Sequence, residues 1–291
     1  IPGRFPVYNH NPYENCDRIG KSRLGTPVSI NKEFLSCDFR IGIGAFIPHS
    51  FCGFGGGYKI IMPGISHVET IEYHHGALMA MHREASCVLG KHRDNPLFED
   101  MLECGRMAGL NVKIDVLINT GATPTHIYAG NPEDLYGNII YKATAHYNSK
   151  TAHRADIVFA NAYCKANEAV IALSLAETLL KDEGGYVVIL CDIEEGQVIH
   201  YLLGRFGKST WGRLAFNERE KNSKVRKIFL YSRFKDKANE FWFGKDEDLV
   251  WSDSIDEIVH MLKGRLGYDR ADVLVVPDAT IQGISLTHNF H

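Results

Sequence analysis

From Arg154 onward the chain alternates short apolar runs with helical ones, and this constrains the fold more than any other feature of the sequence. "ADIVFANA", "GYVVILCD", "KVRKIFLYSR" and "ADVLVVPDA" are short and rich in β-branched residues, and "NEAVIALSLAETLLKDE" and "SIDEIVHMLKGRLG" are helical stretches set among them. Strands that are apolar on both sides and joined by helices build a parallel sheet with both faces covered. The expected class is α/β, with the helix of residues 167–183 closed by Gly184 and Gly185.

The first half is patterned differently. "GTPVSINKEF" alternates, "FRIGIGAFI" is a strand feeding a glycine-rich loop, and "SHVETIEYHHGALMAM" is helical. Asn95-Pro96 and Asn131-Pro132 open two further helices, since asparagine can cap and proline suits the first helical position. Between them, "LNVKIDVLINT" and "PTHIYAG" are two strands around a turn. The change of pattern puts a boundary near 148–154 and predicts two α/β lobes with a cleft between them. The first is a cofactor-binding lobe, 1–150, rejoined by about 278–291. The second, 151–277, is a parallel-sheet, Rossmann-like lobe that closes over a substrate.

Bulk properties remove several classes of partner. A formal net charge of -3 gives no general attraction to nucleic acid or anionic membrane. No apolar run approaches the ~18 to 20 residues that a membrane span needs. Cys16, Cys37, Cys52, Cys87, Cys104, Cys164 and Cys191 are scattered, odd in number and never spaced as CxxC. They read as buried thiols of a reducing compartment, so the expected location is cytoplasmic.

The chemistry gathers around "FIPHSFCGFGGGYKIIMPG", residues 46–64, with four glycines in five positions: Gly53, Gly55, Gly56 and Gly57. Glycine loses more conformational entropy on folding than other residues, so such density points to a loop that holds a ligand. The P-loop pattern fails, because Tyr58 precedes Lys59 and Ile60 follows it. The dinucleotide fingerprint fails in each frame, on Tyr58, Ile60 or Ile47. A cradle of backbone N–H groups for an anion survives. Six of the 14 histidines (His49, His67, His74, His75, His82, His92) lie between 49 and 92. Any one of them is more often core-satisfied or solvated than functional, and no HExxH pattern supports a zinc hydrolase. Cys52 beside the loop reads as structural, because nothing local supplies an activating base. Lys59, closing a glycine turn between two apolar segments, fits a ligand contact or covalent attachment as well as it fits a solvated lysine.

Taken together, His49, "GFGGGYK", "MPG" and "ETIEYHHG" resemble the nickel-pincer lactate racemase family. Lys59 lies ten residues after His49 and His75 twelve after Pro63, both as in that family. The upstream "PVYNHNPYENCDRIGKSRLGTPVSINKEF" and the closing "ADVLVVPDA" are similar too. The resemblance implies a racemase or epimerase of a 2-hydroxy acid, acting by transient hydride transfer. Its cofactor would be a nickel-pincer nucleotide, a pyridinium-3-thioamide-5-thiocarboxylic acid mononucleotide, made by dedicated maturation proteins and absent from some isolated preparations. In the implied roles, Lys59 tethers the cofactor, His75 ligates nickel and His49 is one of two opposed acid/base histidines. Phe51, Gly53, Gly55, Gly56, Gly57 and Pro63 surround the ring. The family carries a further segment upstream, with an Asp-His-Thr-Arg-type motif and the second catalytic histidine, and neither is present in this sequence. The family's Tyr-Gln pair and carboxylate-facing lysine are also missing from "NAYCKANEAVIALS", where Ile171 stands near the lysine position. Lys165, with Asn167 and Glu168 nearby, is the candidate replacement contact and fits a solvated lysine equally well, and the change points to a substrate other than lactate. Two alternatives stand beside the racemase: a redox enzyme using the same tethered cofactor, and a catalytically silent cofactor-binding homologue.

Overall fold

The computed structural model describes residues 4–86, 89–151, 153–197, 219–267 and 270–286, and the chain divides into two compact units. Unit 1 is Ile1–Ile118 with Pro124–His146, and unit 2 is Asn119–Thr123 with Tyr147–His291.

Unit 1 begins with an antiparallel hairpin, β1 (Cys16–Lys21) and β2 (Pro27–Asn31), followed by a short helix α1 (Lys32–Ser36) capped by the Asn31 side chain. Then come β3 (Ile41–Ala45), the two-residue strands β4 (Pro48–His49) and β5 (Gly53–Phe54), and a helical stretch. This stretch comprises α2 (Val68–Glu72), a π-turn Tyr73–Leu78, α3 (Met79–Met81) and α4 (Arg83–Ser86). Next are α5 (Pro96–Ala108), β6 (Val112–Ile118), β7 (Pro124–Gly130) and α6 (Pro132–Tyr147). Asn95 caps α5 as its sequence predicts, its side chain accepting from the Leu97 and Phe98 N–H groups, which otherwise have no partner within the helix. Buried Asp100 on α5 accepts from the Ser22 and Thr26 hydroxyls at 2.5 and 2.6 Å and so ties the hairpin turn to the helix.

The sheet of unit 1 runs β3-β6-β7, with β3 parallel and β7 antiparallel to β6. Its faces are the reverse of what the apolar pattern of "VKIDVLI" implies. Lys113, Asp115 and Leu117 point inward and are buried, while Val112, Ile114 and Val116 point the other way. Opposite them in register stand Ile41, Ile43 and Ile127, which are 52%, 64% and 70% exposed. Glycine makes the inversion possible. A Cβ at Gly42 would crowd the Lys113 Cδ at 3.1 Å, so β3 is bare where the lysine stem passes, whereas one at Gly44 would have an ordinary neighbour in its Nζ at 3.7 Å.

Unit 2 contains the five-stranded parallel sheet expected from the alternation. Its strands are β9 (Ile157–Asn161), β10 (Gly185–Leu190), β11 (Val225–Tyr231), β12 (Leu249–Ser252) and β13 (Val273–Val276), following a short β8 (Asn148–Thr151). The order is β12-β11-β10-β9-β13, all parallel. One face packs Val158, Val187, Ile189 and Leu230 with Ala172, Leu173 and Ala176 of α7 (Val170–Thr178). The other packs Val188 and Phe229 against Ile258 and Leu262 of α8 (Ile255–Leu266).

Three expectations are corrected. The helix predicted over 167–183 spans only Val170–Thr178, and Gly184 belongs to the next turn rather than to a helix cap. It ends early because Leu179 and Lys181 exchange backbone hydrogen bonds with Ala155, which pulls the chain into bridge pairing at Leu180. Its predicted start is a 3-10 turn, Tyr163–Glu168. Residues 278–286 do not rejoin unit 1: β14 (Gly283–Leu286) pairs in parallel with β8, inside unit 2. The thiols are not all buried: Cys52, Cys104 and Cys191 are, but Cys16 and Cys164 are half-buried and Cys37 is exposed, while Cys87 lies outside the described residues. Among the described residues, no helix is long and apolar enough to cross a membrane.

Candidate functional site

The glycine loop of unit 1 is folded back on itself by the β4–β5 ladder, which pairs His49 with Gly53. The His49 imidazole turns into the loop it opens. Its Nδ1 accepts from the backbone N–H groups of Phe51 and Cys52, at 3.3 and 3.2 Å. Its Nε2 lies 3.0 Å from the Lys59 Nζ. Lys59 sits on a 3-10 turn, Gly57–Ile60, entered through Gly56 at φ +83°. The Phe51 ring meets His49 edge-on at 4.4 Å between centroids and His75 edge-on at 4.9 Å. Residues ten and sixteen positions apart in sequence thus meet, with His49 and His75 both against the Phe51 ring and Lys59 against His49.

His75 lies in the π-turn and is 3% exposed, with fully buried His74 beside it, their Nδ1 atoms 3.0 Å apart. Single π-turns inside helices recur at functional sites, where the extra residue per turn re-aims side chains. His74 Nε2 lies 2.8 Å from the Leu97 carbonyl oxygen. Burial pushes His74 down from 6.5 to about 4. Asn95 links this helix to the loop, its amide donating to the carbonyls of Phe51 at 3.0 Å and Lys91 at 2.7 Å.

The glycines themselves are required first by the protein's own packing. A Cβ at Gly53 would lie 2.4 Å from the Lys91 carbonyl oxygen, at Gly56 2.8 Å from Asp115, and at Gly57 1.8 Å from the Tyr136 ring. Gly55 has ordinary van der Waals neighbours at 3.5 Å and beyond. Pro63 is half-buried just past the turn, its carbonyl accepting from Ser66 N–H at 3.1 Å.

Beneath the loop lies a feature that the sequence reading missed. Asp115 accepts the Gly57 N–H at 2.9 Å through one oxygen and the Lys113 ammonium through the other. Lys113 also donates to the Ile114 carbonyl at 3.0 Å. Burial pushes the carboxyl of Asp115 up and the ammonium of Lys113 down, each opposed by the partner's charge. The available signal was a lysine and an aspartate two apart inside an apolar strand, which alternation alone assigns to solvent. At the loop's other flank, buried Tyr58 donates to Glu133 at 2.7 Å. Arg106 grips the same carboxylate through two 2.8 Å bonds, and these hold Glu133 below its usual range.

In unit 2 the strand order reverses between β9 and β13, and in open parallel sheets ligands bind beyond the carboxyl ends of strands at such a switch. Lys165, Asn167 and Glu168 lie there, on the 3-10 turn after β9. Fully buried Asp278, just past β13, fixes that turn by accepting from Cys164 N–H at 2.7 Å. Gln197 bridges the Ala166 carbonyl and the Ala169 N–H at 2.8 and 2.9 Å. Asn167 is exposed and Lys165 half-buried.

Residues 1–87 match the lactate racemase N-terminal domain family. The lactate racemase of Thermoanaerobacterium thermosaccharolyticum is 29% identical over 204 residues, covering 66% of this chain and 46% of that protein. That of Lactiplantibacillus plantarum is 27% identical over 188 residues, 62% of this chain and 42% of that protein. The matched regions thus span under half the length of either relative. Among solved structures, the lactate racemase apoprotein of T. thermosaccharolyticum superposes with a TM-score of 0.71 at 21% identity, covering 95% of this chain and 70% of that one. A protein from Thermotoga maritima gives 0.63 at 14% identity, covering 96% and 78%. The fold is that of a lactate-racemase-like α/β protein. The chain is similar to these two lactate racemases, and its first 87 residues match the model of the lactate racemase N-terminal domain.

Proposed function

We propose that this chain is a racemase or epimerase of a 2-hydroxy acid that works through a lysine-tethered nickel-pincer nucleotide. The observation that carries the reading is the meeting of His49 and Lys59 at 3.0 Å, with His75 on the far side of Phe51. Lys59 would hold the cofactor covalently and His75 would hold its nickel, while Phe51 and Pro63 border the ring and Gly53, Gly55, Gly56 and Gly57 carry the loop. The donor set fits: imidazole suits nickel. Among the described residues no group of three His, Cys, Asp or Glu could hold a metal alone, so a metal at His75 would take its other ligands from the cofactor. When bound, the cofactor supplies a hydride acceptor for the substrate's α-carbon. His49 would take and return the proton of the substrate hydroxyl, and taking it at Nε2 would require Nδ1, which here accepts from two backbone N–H groups, to carry the ring's own proton instead. The imidazole's usual pKa near ~6.5 lets one residue serve in both directions. Lys165 would meet the substrate carboxylate, flanked by Asn167 and Glu168. Cofactor-maturation proteins are the implied partners, and the cytoplasm the implied compartment.

Co-expression with cofactor-maturation proteins, followed by intact-mass and nickel analysis, tests this. The expected result is an adduct on Lys59 that Lys59→Ala abolishes together with nickel. Wild-type protein without an adduct, or Lys59→Ala with unchanged nickel, rejects the proposal. In deuterated water the substrate α-hydrogen is expected to be retained, and rapid exchange there would point to proton abstraction instead.

A further inference from the structure

The two adjacent histidines form an ordered chain of hydrogen bonds whose direction can be read from one end. The Leu97 carbonyl oxygen can only accept, so His74 Nε2, at 2.8 Å, carries a proton. His74 is wholly buried, where desolvation opposes the charge that a second proton would bring. Its Nδ1 is therefore a lone pair, and it faces the Nδ1 of His75 at 3.0 Å. That contact is a hydrogen bond only if His75 Nδ1 bears the proton. A neutral His75 protonated on Nδ1 has its lone pair on Nε2.

We propose that His74 is the positioning residue of the metal site: anchored by the Leu97 carbonyl, it accepts from His75 Nδ1 and so keeps His75 Nε2 as the ligating atom. This rests on the reading of His75 as the nickel ligand. Metal-bound histidines usually donate their second ring nitrogen to a carboxylate, a backbone carbonyl or water, which fixes tautomer and ring angle. Here a second histidine takes that place and passes the role on to a backbone carbonyl. The π-turn is what lets neighbours in sequence meet ring to ring. Leu97 is itself held, since Asn95 caps its N–H at 3.1 Å and reaches Phe51 with its own amide. One asparagine thus aligns the anchor of the relay with the loop that carries Lys59.

The experiment uses the full chain, without cofactor, with histidine rings labelled in nitrogen-15, and reads tautomers from long-range proton–nitrogen NMR, the His75 signals being assigned by their loss in His75→Gln. The expected spectrum shows His75 protonated on Nδ1, the minor form in free histidine. In His74→Phe, which has no acceptor, His75 is expected to revert to the Nε2-protonated form. In protein co-expressed with maturation proteins, His74→Phe should keep the Lys59 adduct while the nickel held per adduct weakens by about 10- to 100-fold. A wild-type His75 protonated on Nε2, or a His74→Phe spectrum that keeps the wild-type tautomer, overturns the relay, and the wild-type spectrum decides this even if the variant does not fold. If the tautomers behave as expected but His75→Ala retains nickel undiminished, the relay has no metal to serve and the proposed role is overturned.

Discussion

The two sheets of this chain solve the same problem in opposite ways. In unit 2 the strands are apolar on both faces and helices cover both, so burial alone holds Val188, Phe229 and Leu230 in place. In unit 1, β6 turns Lys113 and Asp115 inward and leaves Val112, Ile114 and Val116 to the open face. The first arrangement stabilises, whereas the second places a charged acceptor under a glycine loop. A buried ion pair adds little net stability over well-packed apolar residues, but losing one member leaves the other charge stranded. The contrast implies that unit 1 gives up stability to set the position of Gly57, while unit 2 provides a scaffold for the turn that carries Lys165.

Three measurements can break or sharpen this contrast. The largest effect is expected for Lys113→Met, which should lower the unfolding free energy by about 3–5 kcal/mol in denaturant titration, with most of the loss recovered in Lys113→Met/Asp115→Leu. A double variant as unstable as the single one would mean that the pair is not the source of the cost. A smaller effect should appear on acidification. Unfolded His74 takes a proton near 6.5, while folded His74 refuses it until about 4, so the stability present above 6.5 is lost as pH falls through that window. The loss is at most ~1.4 kcal/mol per pH unit and is read as the difference between the wild-type and His74→Phe melting curves. The raised Asp115 titrates with the opposite sign and cancels in that difference. The smallest effect is expected at Ile43, where replacement by Ser on the open face should change stability by no more than ~0.5 kcal/mol. A cost of several kcal/mol there would show that this face is covered in solution.

Much of the fold was legible because local chemistry and global packing agree. Asn95-Pro96 opens α5 by capping, and the apolar runs at 157–161 and 185–190 pair as parallel strands because nothing in them suits solvent. The failures arise where tertiary contacts override a local rule. The helix after Glu168 stops at Thr178 because Ala155 competes for its backbone, a partner 24 residues earlier that no window along the chain reveals. The faces of β6 could not be read from the sequence, because alternation says which residues share a side but not which side is inside, and the close passage of Lys113 at Gly42 lies on another strand. In the site, the family resemblance pointed to His49, Lys59 and His75, and the structure sets Lys59 3.0 Å from His49 and both histidines against Phe51. His74 was passed over because a buried histidine beside another carries no pattern until ring geometry is known, and Asp115 because its partner Gly57 lies 58 residues away.

The inverted strand also bears on how this protein can change. A one-residue slip of β6 against β3 would turn its valines and isoleucines into the interior, an outcome that hydrophobicity alone would favour. What opposes the slip is one ammonium, one carboxylate and the bare position at Gly42 on the neighbouring strand. Any lineage or redesign that exchanged the pair for apolar residues would gain freedom to settle in the other register. The floor beneath the glycine loop would then vanish without a single substitution in the loop itself.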